Sequence, residues 1–141
     1  MIVIAIIGIL AAIAIPNFIS FRDKGFCSGV ESDANAILAG LADYFSIPTN
    51  VSFADVGATD TITFPGPPDT LFRLSRAGEA TANTATLTNV AATAAAAAYF
   101  LVAVTDGSGR CPVSYQVSNT VAGTDLEGWS GVLPGVFQKP M

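Results

Sequence analysis

Hydrophobic and polar positions divide this chain into three stretches. From Met1 to Ile15 every position is apolar or glycine, and Pro16 closes the run. Such a run is stable only in lipid or inside protein. As a helix it spans roughly 22 Å, short of a hydrocarbon layer of about 30 Å. From Phe18 the pattern becomes amphipathic. Phe18, Phe21, Phe26, Val30, Ala34, Ile37, Leu38, Leu41 and Phe45 approximate the spacing of one helical face, with Asp23, Lys24, Glu31, Asp33, Asn35 and Asp43 expected opposite. Ile47-Pro48-Thr49-Asn50 ends that helix at about Phe45, because a residue preceding proline disfavours helical geometry.

Beyond Val51 the chain is rich in Thr, Val, Gly and Pro, with short alternating runs that read as strands. The expected strands are Thr61–Phe64, Leu71–Ser75, Thr84–Val90, Tyr99–Thr105 and Val113–Val117. Asp106-Gly107-Ser108-Gly109 would turn a hairpin from Tyr99 to Val117. Ala91–Ala98 is read as strand or loop, and Gly128–Pro140 as an irregular tail over the sheet. One long helix packed on an antiparallel sheet is an α+β head. Its expected divisions are 1–16, an apolar membrane or filament-core helix; 17–46, its amphipathic continuation; and 47–141, a β-rich globular head.

Composition narrows the chemistry. The 141 residues have room for one core and an appended helix. Net charge is -5 with only six basic residues and no histidine. No basic stripe exists along the sequence to neutralise phosphates, so nucleic acid is not expected as the main ligand. The commonest general base is missing, and the two distant cysteines have no zinc-ligand spacing. No catalytic residue, cofactor or metal site is expected. Asp106-Gly107-Ser108-Gly109 has too few carboxylates for a calcium loop and reads as a plain turn. Asn50-Val51-Ser52 matches a glycosylation sequon, a three-residue pattern that arises often by chance.

The string from Met1 to Phe18, MIVIAIIGILAAIAIPNF, resembles the N-terminal segment of bacterial type IV pilins and the related pseudopilins, with Gly8 and Pro16 eight residues apart in an aliphatic run. The glutamate, the N-methylated phenylalanine and the glycine before the cleavage point in that pattern would lie upstream of Met1, so Met1 is read as an internal residue of the motif. A secretory signal peptide fits less well: no basic stretch precedes the run, and Asn17-Phe18-Ile19 supplies no small-residue cleavage site.

The resemblance implies the pilin fold and a structural subunit that polymerises through its apolar helix. Filament-core contacts are expected from Ile2, Ile4, Ile6, Ile7, Gly8, Ile9, Leu10, Ile13, Ile15, Pro16 and Phe18. It implies copies of this chain, the inner membrane before assembly, a prepilin peptidase and the pilus assembly machinery as partners, and an extracellular filament as the destination. Two other readings stand beside it: a pseudopilin of type II secretion, and a membrane-anchored periplasmic domain that never polymerises. Between Gly8 and Pro16 the helix should be easiest to stretch, since Pro16 cannot donate to the Ala12 carbonyl; a proline kink is the alternative. In an exported head, Cys27 and Cys111 are expected to form a disulfide worth about 4 kcal/mol, with two buried free thiols as the alternative. The aromatic residues Phe18, Phe21, Phe26, Tyr44 and Phe45 read as packing groups.

Overall fold

The computed structural model describes residues 2–66, 69–94, 97–120 and 127–141. A single helix α1 (Ile2–Ser46) is followed by β1 (Val56–Ala58), β2 (Thr61–Phe64), β3 (Thr70–Arg73), β4 (Thr84–Val90), β5 (Tyr99–Thr105), α2 (Val113–Ser118), β6 (Gly128–Trp129) and β7 (Val136–Pro140). Five strands form an antiparallel sheet in the order β1-β4-β5-β7-β6, and β2 and β3 form a separate hairpin. The α+β architecture read from the sequence is therefore the one observed.

α1 ends where its last carbonyls find other donors. The Tyr44 carbonyl accepts from the Ile47 N–H at 3.4 Å and from Asn50 Nδ2 at 3.0 Å, and the chain turns away before Val51. Only the second half of the helix is packed. Cys27, Val30, Ala34, Ile37 and Leu41 are fully buried, at alternating spacings of three and four that hold them on one face. Opposite them stand Ala85 and Leu87 of β4, paired in register with Val104 and Val102 of β5, so four inward side chains form one patch. Ile62 and Phe64 of the hairpin and Trp129 of β6 complete the core. Each fully buried aliphatic side chain stabilises the head by about 2 kcal/mol. Gly40 makes room for Phe64: a Cβ there would lie 2.9 Å from the ring.

Three expectations fail in the second half. Val113–Val117 is not a strand but most of α2, so the hairpin from Tyr99 to Val117 does not form. β5 instead pairs with β4 on one side and β7 on the other. The supposed irregular tail thus supplies two strands of the sheet, β6 and β7, of which β7 runs beside β5. Pro140 is tolerated there because Phe100 and Met141 exchange both backbone hydrogen bonds, which leaves Leu101 and Pro140 as a pair needing no proline N–H. The described part of Ala91–Ala98 is neither helix nor strand, in agreement with the loop reading; residues 95 and 96 lie outside the described residues.

Candidate assembly surface

The N-terminal half of α1 projects from the head with nothing packed on it. Ile2, Ile4, Ile6, Ile7, Ile9, Leu10, Ile13, Ile15 and Phe18 are all exposed, from 52% at Ile6 to 78% at Ile2. A Cβ at Gly8 would meet no atom within 4 Å, and Pro16 lies inside the continuous helix. Successive residues in a helix are turned about 100° from one another, so an unbroken apolar run is apolar all round and has no solvent-tolerant face. A contiguous exposed apolar surface of this kind marks a place for lipid or other protein.

Because the helix continues through Pro16, the uncharged stretch reaches Phe21. Ile2–Phe21 spans about 30 Å at the helical rise, matching the hydrocarbon layer. The apolar block ending at Ile15 is therefore not too short once the structure adds Pro16–Phe21. Among the described residues, α1 is the one helix long and apolar enough to cross a membrane.

The head is fastened to the packed half of α1 by a disulfide and two polar clusters. Cys27 and Cys111 are joined, with Cα atoms 4.9 Å apart. Asp33 is buried rather than on the solvent side expected for it. Both its carboxylate oxygens accept from the Ser75 N–H (3.1 and 3.0 Å), and it also accepts from Ser75 Oγ (2.7 Å) and Asn83 Nδ2 (2.8 Å). Asn83 Oδ1 in turn accepts from Arg76 Nη2 at 2.7 Å, and the same nitrogen lies 3.2 Å from Asp106 Oδ1. Asp106 also accepts from the Ser108 N–H and Oγ and from the Cys111 N–H. Burial pushes its carboxyl up, but the hydrogen bonds from Ser108, Cys111 and Arg76 outweigh that and hold it below the ordinary value. The Asp106-Gly107-Ser108-Gly109 turn is thus an internal brace whose carboxylate is already occupied.

The second cluster centres on Glu31, which faces the head rather than solvent. Its Oε1 accepts from Trp129 Nε1 at 2.8 Å and from the Tyr115 hydroxyl at 3.2 Å. Burial first, then the Glu31 charge and hydrogen bond, raise the Tyr115 hydroxyl above its ordinary value. Gln116 ties α2 to the chain, donating to the Cys111 carbonyl and accepting from the Gly135 N–H. Sequence reading missed these ties, since an isolated Asp, Glu or Gln on a helix carries no mark of its tertiary partner.

The aromatic residues divide into two groups. Tyr44 and Phe45 pack against Phe53 and Phe100 with ring centroids 5.3 and 5.1 Å apart, whereas Phe18 and Phe21 are exposed on the bare helix. Among the described residues there is no cluster of three or more His, Cys, Asp or Glu side chains placed to hold a metal ion.

A half-bare apolar helix clipped to an antiparallel sheet fits the α+β pilin fold. Over 46 residues the chain is 50% identical to the Type IV major pilin protein PilA of Myxococcus xanthus (strain DK1622), a match covering 33% of this chain and 21% of that relative. The matched stretch is about a fifth of the relative's length. No model of a known protein family matches, and no solved structure matches. The similarity, the long N-terminal helix and the sheet together fit a type IV pilin and support a pilin-like structural role.

Proposed function

We propose that this chain is the structural subunit of a type IV pilus, polymerising through its apolar helix into an extracellular fibre. What carries this reading is the exposed apolar side chains of Ile2–Phe21 beside a head that has its own buried core. Moving that surface from water or lipid into a bundle of identical helices supplies cohesion without new polar chemistry. In this reading residues 1–16 form the filament core with Phe18, residues 17–46 continue into the head, and residues 47–141 make the outer shell. Before assembly the helix stands in the inner membrane, where the prepilin peptidase and the assembly machinery of the pilins act on it. The stretch from Gly8 to Pro16 is the segment that melts on packing into the filament; continuous i to i-4 hydrogen bonding there in an assembled filament would refute this.

The test is to shear surface fibres from cells expressing the full chain, identify the subunit by mass spectrometry, and trace α1 by electron cryomicroscopy. Ile13→Lys should abolish filaments while Trp129 fluorescence and the disulfide show an intact head. Filaments unaffected by that substitution would overturn the proposal. So would a chain found only in the cell envelope, the outcome expected of a pseudopilin or of an anchored monomer.

A further inference from the structure

Four of the six basic residues of this acidic chain gather where the bare helix enters the head. Arg22 and Lys24 follow Phe21, the last residue of the uncharged stretch. Lys24 Nζ lies 5.7 Å from the centre of the Phe21 ring. One turn above Arg22, Phe26 carries two guanidinium groups from the head, Arg76 at 4.8 Å and Arg110 at 5.7 Å from its ring centre. Among the described residues, the acidic groups that pair with this cluster are Asp23, whose Oδ1 is 3.6 Å from Arg22 Nη2, and Asp106, whose Oδ1 is 3.2 Å from Arg76 Nη2. Lys24 and Arg110 are exposed and make no salt bridge among the described residues.

The position of this cluster along the helix gives it a partner. With Phe21 at the edge of the hydrocarbon layer, Arg22–Phe26 rises through about the next 6 to 8 Å, the depth of one headgroup layer. The first fully buried helix residue is Cys27, so the underside of the head begins at that same depth. Long basic side chains rooted beside apolar surface extend their charged ends into the headgroup region.

We propose that Arg22, Lys24 and Arg110 form a basic collar that binds the phosphates of anionic lipid headgroups while the subunit waits in the membrane. The proposal rests on the reading of Ile2–Phe21 as membrane-resident. The collar holds the head at a fixed height and orientation on the bilayer, and the lipid phosphates are released when the helix leaves for a filament.

The full chain is reconstituted into phosphatidylcholine vesicles containing trace spin-labelled phosphatidylglycerol or spin-labelled phosphatidylcholine, and the motionally restricted fraction of each label is compared. At low salt the anionic lipid should associate about five-fold more strongly, the attraction expected of one basic residue at an anionic surface. The preference should shrink at high salt. It should fall towards unity in the triple variant Arg22→Gln, Lys24→Gln, Arg110→Gln, and persist both in Arg73→Gln and in the charge-preserving pair Arg22→Lys, Arg110→Lys. Equal association of the two lipids, or a preference that survives the triple substitution, would overturn the collar. Loss of filaments in the triple variant with lipid preference unchanged would also overturn it, assigning the charges to an acidic neighbouring subunit. Failure of the wild-type chain to float with any vesicle would sink the membrane reading beneath it, a separate outcome.

Discussion

Reducing the Cys27–Cys111 bond should destabilise the head by about 4.5 kcal/mol. The bond closes a loop between residues 84 apart in sequence. The chain-entropy relation for a loop of that length gives about 15 cal/mol/K, or about 4.5 kcal/mol at room temperature. A domain of this size is stable by only about 5 to 15 kcal/mol, so the loss is a large share of the total. Trp129 is a built-in reporter, being the one tryptophan, buried, and hydrogen-bonded to Glu31. The assay is urea unfolding of the detergent-solubilised chain, followed by Trp129 fluorescence with and without reductant. With a urea slope of about 1.5 kcal/mol/M, the midpoint should fall by about 3 M. A fall of less than about 0.5 M would refute the reasoning, because it would mean that the reduced unfolded chain gains little freedom or that the folded head is strained by the bond.

Other outcomes follow from the clusters beside that bond. The depressed Asp106 carboxyl contributes stability present above its ordinary unfolded value, about 4, and lost as pH falls through the lower folded value. Acid unfolding curves should therefore steepen below about pH 4. Asp106→Asn should flatten that dependence and cost about 2 kcal/mol at neutral pH, since four hydrogen bonds converge on the carboxylate. Gly107→Ala would put a Cβ 1.8 Å from the Ala82 carbonyl oxygen, and thermal unfolding should show a loss of about 3 kcal/mol or failure to fold. Pro16→Ala restores a hydrogen-bond donor and should favour helix by about 3 kcal/mol at that turn; filaments of the variant should show a shorter melted segment by electron cryomicroscopy.

Local pattern was enough wherever the partner was near in sequence. Thr61–Phe64, Thr84–Val90 and Tyr99–Thr105 are strands with the bounds expected from alternation and turn residues, and α1 ends within a residue of the expected place. Val113–Val117 misled because five alternating residues can follow either period. Tertiary ties decide it: Cys111 is fixed to α1, Gln116 bonds the Cys111 carbonyl and Gly135, and Tyr115 reaches Glu31. β7 was illegible for a related reason. Its glycine and proline neighbours suggest a loop, while its pairing partner β5 lies about 35 residues away in the chain, and no local rule detects a strand that remote. The exposed helix residues were all legible, as an apolar run announces itself without a partner. The burial of Asp33 and the half-buried, head-facing placement of Glu31 were not, because a carboxylate on a helix becomes an internal brace only when distant donors arrive.

The position of the disulfide also sets a load path. Tension applied to the bare end of α1 reaches Cys27 first, and from there it can pass through the sulfur bridge into the loop at Cys111 and on to the sheet. The stretch from Cys27 to Ser46 lies inside the covalent ring that this bridge closes. Unravelling that starts in the helix below it meets a covalent stop at Cys27, before the buried stripe of Val30, Ala34, Ile37 and Leu41 is exposed. Pulled hard, the subunit would lengthen in its bare half while the head kept its shape.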